Sequence, residues 1–373
     1  MLVLVGCILL SRISRYRTEI MGVAILWVML FHARIDVPTA LFLPVGVVKD
    51  VGYGAVDLFF FLSGFGLFNS WSSRGYSASG FYKARLLRIL PTYWIAVALY
   101  YGIKFFSKGT FSIVDIASMA TGLNFYLHNE KFFWFIPAIV LCYLLFPLLV
   151  RWVGFDTSNR HLARNILYAI AATLFLSLAI MATEFHYLLI FTLRLPVFIL
   201  GVYAGYAFVH KQHLPWFENA TINGASILSG IVLLSLMLSL TIPDTRWRFG
   251  LWWYPFMLLS YPLCLLIAFL CERMDEHASN SSMLKSIRSL VVFCGTYSLE
   301  IFLLHLVIFR TFPVMMHDVM PRVLESRFNM GRFGEYGFYV ILAFCMAPIV
   351  NKLASFCTMP VPIARRNACA DRR

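Results

Sequence analysis

The chain has 373 residues, 60% of them hydrophobic, 17% aromatic and 13% charged, with a mean hydropathy of +0.77. Soluble domains carry about 25% charged residues, so this chain lacks the polar surface to cover a body in water and reads as an all-α polytopic membrane protein. The formal charge of +13 is spread over short loops with no separate basic domain; such residues set topology and meet anionic lipid, and no nucleic-acid partner is expected.

The chain opens with "MLVLVGCILL". At about 10 residues this is too short to span, and it has neither a basic n-region nor a cleavage site. It reads as an interfacial piece or as an artefact of the chosen start. Mostly apolar segments of spanning length then follow at 20–37, 53–71, 89–106, 132–153, 163–182, 189–209, 223–242, 251–271, 290–310 and 335–355. These ten make one transmembrane domain over 1–373. The stretch 111–127 is broken by Asp115 and Asn124 and reads as a loop, or as a re-entrant or interfacial helix. Eight cysteines, most of them in apolar runs and none in a C-x-x-C pair, read as small buried hydrophobes; no disulfide framework and no metal site are expected.

Lys and Arg give the orientation. With the N-terminus in the cytoplasm, 19 of the 31 fall on the inner side and 11 on the outer, with Arg194 left inside a span. That bias follows the positive-inside rule, and an even number of spans then places both termini in the cytoplasm.

Ionisable groups inside spans are costly and usually face a functional path. Here they are His32, Asp57, Arg194, Glu300 and His305. Counted along the alternating spans, all five fall in one layer above the midplane, together with Trp134 at the outer end of its helix. A histidine with a carboxylate behind it is the usual general-base arrangement, because the carboxylate fixes the tautomer and stabilises the imidazolium. His32 with Asp57 or Glu300 fits that pattern. Asp57, Arg194 and Glu300 also fit plain structural pairing between helices. A second, cationic layer lies at the inner face. Arg85 and Arg88 are spaced i, i+3 on one helix face, and Arg12, Arg15 and Arg17 precede the first span. Guanidinium forks suit phosphate, so this layer is either a topology signal or a site for a phosphate-bearing ligand.

The motifs that hold these residues resemble a known family. "GVAILWVMLFH" (22–32), "GAVDLFFFLSGFGLF" (54–68), "ARLLRILPTYW" (84–94), "FWFIPAIVLCYLLFPLL" (133–149), "RLPVFILGVYAGY" (194–206) and "YSLEIFLLH" (297–305) look like the membrane-bound acyltransferase type 3 family, in that family's order. The resemblance implies a roughly ten-helix bundle in the cell membrane. It implies transfer of an acyl group, usually acetyl, from cytoplasmic acyl-CoA to a hydroxyl of a glycan or glycolipid. It requires no cofactor beyond the acyl-CoA co-substrate. The family histidine matches His32, an acidic position matches Asp57, and the basic element matches Arg85 and Arg88. Trp134, Arg194 and His305 join the substrate-binding candidates, and Glu300 joins the catalytic ones.

One departure stands out. Many members carry Arg or Lys eleven residues before the histidine, and here that position is Met21. Arg17, one turn lower, lies about 60° around the helix from His32. Three readings stay open: Arg17 reaches the donor by extending its side chain, the donor relies on Arg85 and Arg88, or the donor binds in a different geometry. A different class of function, a transporter or flippase using His32, Asp57 and Glu300 as a proton relay, also suits polar groups at this depth. Against it, the hydropathy pattern has no internal repeat.

Overall fold

The computed structural model describes residues 2–33, 39–75, 77–108, 112–155, 161–212, 214–239, 248–278, 281–319 and 332–358. Of the loop cations that set the expected orientation, Arg34, Arg160, Arg246, Arg322, Arg327, Arg365, Arg366, Arg372 and Arg373 lie outside those residues. Among the described residues every regular element is helical. In chain order they are α1 (Leu2–Arg15), α2 (Arg17–His32), α3 (Thr39–Asp50), α4 (Ala55–Arg74), α5 (Ala78–Lys108), α6 (Ile113–Thr121), α7 (Leu123–His128), α8 (Phe135–Val153), α9 (Leu162–Met181), α10 (Leu189–Thr192), α11 (Leu195–His210), α12 (Pro215–Glu218), α13 (Ala220–Ser239), α14 (Tyr254–Ala278), α15 (Ser282–Thr296), α16 (Ser298–Val319) and α17 (Arg332–Phe356).

Seven helical segments are long and apolar enough to cross a membrane, and an eighth if α15 and α16, bent by 82° at Tyr297, count as one span. This protein is a multi-pass membrane bundle. The sequence reading marks ten. The difference lies in α2, whose 16 residues fall short of a full crossing, and in α4, which ends in the polar turn "NSWSSR". Both nevertheless sit deep in the bundle. In the stretch expected at 111–127 as a loop or as a re-entrant or interfacial helix lie two short helices, α6 and α7, joined at Gly122 with φ of 76°.

α4 is the axis of the molecule. All but a few of its side chains as far as Phe68 are buried. It lies against α11 through glycines on both helices: a Cβ on Gly64 would fall 2.3 Å from the Phe198 carbonyl oxygen, and one on Gly201 would fall 2.1 Å from that of Phe61. Without a hydrophobic force between helices in lipid, close backbone approach at small residues supplies the packing energy. α2 and α15 meet the same way, with Gly22 on the Val291 carbonyl and Gly295 on that of Thr18. By contrast α9 and α13 expose most of their apolar side chains, including Phe175, Leu228 and Leu236, and form the lipid-facing edge. α1, expected as an interfacial piece, is a helix tied to the bundle by an Arg12–Glu272 ion pair of 3.0 Å.

Candidate active site

Two polar regions lie at opposite ends of α2. At its C-terminal end a cavity of about 240 Å³ is lined by His32, Tyr53, Lys131, Trp134, Arg194, Trp252 and Trp253 among others. The His32 ring, in the last turn of α2, is exposed to this space. Its Nδ1 lies 2.9 Å from the Val28 carbonyl oxygen. A carbonyl only accepts, so Nδ1 carries the proton and donates, and Nε2 is left as the lone-pair nitrogen. The orienting partner of His32 is therefore a backbone carbonyl of its own helix.

Asp57 is fully buried in the first turn of α4, and its Oδ2 lies 3.3 Å from Arg194 Nε. The positive end of the α4 dipole favours a carboxylate there. Arg194 is 1% exposed and held on all sides. It donates to the Ile190 carbonyl and, at 3.2 Å, to that of Tyr53. Its guanidinium lies 4.9 Å from the ring centre of Trp134 and 5.6 Å from that of Trp253, within cation–π range. Of the two partners that depth allows for Asp57, the geometry selects Arg194. The pair braces the wall of the cavity, where α10 breaks into α11.

At the other end of α2, three recesses converge on Arg17. One of about 520 Å³ is lined by Arg17, Asn69, Ser70, Arg74, Arg85 and Arg88. A second of about 410 Å³ adds Thr92, Glu300, Asn351 and Ser355 to Arg17 and Arg88. The third, of about 90 Å³, is lined by Arg17, Arg85 and Arg88 and continues along Phe59, Phe135, Ile139 and Phe302. Arg17, Arg85 and Arg88 thus share one space, and Met21 lines it one turn above Arg17. The Arg17 guanidinium rests over Gly66, where any Cβ would come within 2.5 Å of its Nη2. "SGFGLF" in α4 therefore carries a glycine where Arg17 needs room.

Glu300 belongs to this cationic end. It is 4% exposed and accepts from Asn351 Nδ2 at 2.9 Å. The single layer expected from depth along straight spans is thus divided. The bend at Tyr297 delivers Ser298, Leu299 and Glu300 to the recesses, while His305, further along α16, reaches His32. The His32 and His305 ring centres are 5.2 Å apart. His305 is fully buried and lies behind His32. A file of ring contacts runs back from it to the recess: His305 to Phe302 at 5.5 Å, Phe302 to Phe135 at 4.9 Å and Phe135 to Phe59 at 6.1 Å.

Residues 22–351 match the acyltransferase domain of the acyltransferase 3 family. The chain belongs to that family. It is a transferase of acyl groups, and the match takes in His32, Asp57, Arg85, Arg88, Arg194, Glu300 and His305, with Arg17 just outside. No curated protein and no solved structure matches the chain. In this acyltransferase the sequence reading missed Tyr53, Trp252 and Trp253 on the cavity wall. The "WW" pair reads in sequence as an interfacial anchor, which hides its second role. Ser63, Asn69 and Ser70 were missed too, because scattered small polar residues carry no signal until α4 and α5 are paired.

Proposed function

We propose that this membrane acyltransferase moves an acetyl group from acetyl-CoA, bound at the Arg17 end, to a hydroxyl of a glycan or glycolipid bound in the His32 cavity. The Arg17 end faces the cytoplasm, in keeping with the positive-inside bias, and the protein sits in the cell membrane with both termini inside. The observation that carries the reading is a cationic recess and a histidine cavity at opposite ends of α2, with the packed rings of Phe59, Phe135, Phe302 and His305 leading from one toward the other.

Each part suits its task. Arg17, Arg85 and Arg88 present planar forks to the phosphates of CoA. The pantetheine arm lies in the recess along Phe59, Phe135 and Phe302, whose rings lead by way of His305 toward His32. On the other side Tyr53, Trp134, Trp252 and Trp253 offer ring faces with polar tips, a surface for the C–H face of a sugar. His32 Nε2 takes the proton of the acceptor hydroxyl as its oxygen attacks the thioester carbonyl, and the Val28 carbonyl holds the tautomer. Asp57 and Arg194 fix the wall on which the acceptor rests.

The test is transfer of label from radiolabelled acetyl-CoA to an extracted glycan or glycolipid fraction by purified protein. Label in the acceptor with wild type and its loss with His32→Ala is the expected result. Substrate translocation in vesicles without label transfer would instead make the protein a transporter.

A further inference from the structure

Arg17 and Arg88 line all three recesses at the inner end of α2, yet the recesses differ in chemistry. The one of about 520 Å³ adds Arg74 and Arg85 to that pair, and no carboxylate lines it among the described residues. The smallest continues along the rings of Phe59, Phe135 and Phe302. The one of about 410 Å³ is unlike both. It sets a carboxylate, an amide and a hydroxyl, those of Glu300, Asn351 and Thr92, beside the apolar side chains of Leu87 and Leu299. Where the three meet, Arg17 Nε is buried with no hydrogen-bond partner among the described residues. Native structures rarely leave a buried donor so without a reason.

The bend at Tyr297 brings Glu300 from α16 against Asn351 of α17. Glu300 is 4% exposed, whereas Asn351 is exposed at the recess. Asn351 Nδ2 donates to Glu300 Oε1 at 2.9 Å. A carboxylate only accepts, so this bond decides which way round the amide sits. It uses one Nδ2 hydrogen and leaves Oδ1 and the second hydrogen, an acceptor and a donor on one planar group. That is the pattern with which asparagine pairs with adenine, Oδ1 taking a hydrogen of the N6 amino group and Nδ2 giving one to N7. A phosphate fits this recess poorly, because Glu300 repels it, and fits the four-arginine recess well.

We propose that the Glu300–Asn351 recess is the adenine subsite for the donor, with Asn351 reading the base and Glu300 as the positioning residue that fixes the Asn351 amide. The proposal rests on the CoA reading above. The diphosphate then lies at Arg17 and Arg88, where the recesses meet. The 3′-phosphate falls to Arg74 and Arg85, and the pantetheine arm takes the third way, along Phe59. The subsite also sets a base preference. Hypoxanthine has a carbonyl where adenine has its amino group, and so turns an acceptor toward Oδ1. The amide would have to turn over to meet it, and Glu300 holds it where it is.

The experiment measures binding of CoA, and of a CoA analogue with hypoxanthine in place of adenine, to the purified full chain by titration calorimetry. Wild type should bind CoA about 10-fold more tightly than the analogue, as expected for a two-bond base contact. Asn351→Leu should lose about that much affinity for CoA and bind the two ligands alike. Glu300→Leu frees the amide to turn, so it too should bind them alike, and Glu300→Gln, which keeps an acceptor, should restore the preference. A residue that served only the fold would weaken both ligands together and leave their ratio unchanged. A ratio that survives in Asn351→Leu, or a wild type that binds both ligands equally, overturns the adenine subsite alone. A wild type that binds no CoA overturns the donor reading with it. Should the variants not fold, the wild-type ratio decides: a preference for CoA supports the subsite and equal affinity overturns it.

Discussion

The two ends of α2 both gather arginine, and they do so in opposite ways. At the His32 end a single guanidinium, Arg194, meets Asp57, two carbonyls and two tryptophan rings. Its charge is fully answered by the protein. At the other end Arg17, Arg85 and Arg88 line the same recess, and the carboxylate in the adjoining space, Glu300, is bonded to Asn351. Like charges gathered in a partly apolar site are costly unless something anionic joins them. We read the first arrangement as architecture and propose the second as a binding site. Burial separates the two: Arg194 is 1% exposed, whereas Arg17 and Arg85 are half-buried and Arg88 is exposed.

The comparison breaks most visibly at the histidine. His32→Ala should reduce acetyl transfer by about 10²–10⁴-fold while leaving the thermal midpoint within error, because the ring is exposed to the cavity and makes only one local hydrogen bond. Near-normal turnover in that variant would remove the general base. Next comes the architectural arginine. Arg194→Leu leaves Asp57 buried and unpaired and should cost about 3–5 kcal/mol of stability, read as a fall in thermal midpoint. Adding Asp57→Asn should restore part of the loss, since the double variant buries no net charge. If Asp57→Asn instead lowers turnover strongly with stability intact, the carboxylate serves His32 and the division drawn above fails.

The cationic end should respond in binding and not in folding. Arg85→Gln and Arg88→Gln each remove a charged hydrogen-bond donor, a loss of about 1.5–3 kcal/mol. That corresponds to roughly a 10–100-fold rise in KM for acetyl-CoA with little change in acceptor KM. Equal effects on both substrates would reduce these residues to topology signals. The smallest effect concerns the seat of Arg17. Gly66→Ala places a methyl group within 2.5 Å of the Arg17 guanidinium and should raise KM for acetyl-CoA a few-fold. Met21→Arg, one turn up in the same recess, should offset that rise; no response to either change would mean that Arg17 does not meet the donor.

Much of this was legible before any coordinates. The bundle follows from composition, because a chain with so few charges must satisfy its backbone within helices in lipid. His32, Arg85 and Arg88 were legible because an ionisable ring in an apolar helix and an i, i+3 pair of cations are strong local signals. What sequence gave poorly was azimuth and bend. Depth alone set His32, Asp57, Glu300 and His305 in one layer. It could not say that Asp57 turns toward α11, or that the apolar run 290–310 breaks at Tyr297. Nothing in "CGTYSLE" forbids a straight helix; two residues before the break Gly295 packs on the Thr18 carbonyl, a contact between residues far apart in the chain. Arg17, proposed here in place of the cation missing at Met21, was half legible. Helical phase put Arg17 near the right face, but the space that admits it comes from Gly66 on another helix.

The central claim is that the donor enters at the Arg17 end and the acceptor is modified at the His32 end. Sided vesicles test it most directly. Purified protein is reconstituted with the glycan or glycolipid acceptor, the two orientations are separated, and radiolabelled acetyl-CoA, which does not cross the bilayer, is added outside. The account predicts labelled acceptor only in vesicles that present the Arg17 end to the added acetyl-CoA, with the new ester on the opposite face and no label in His32→Ala. Equal labelling in both orientations, or an ester on the same face as the donor, would contradict it.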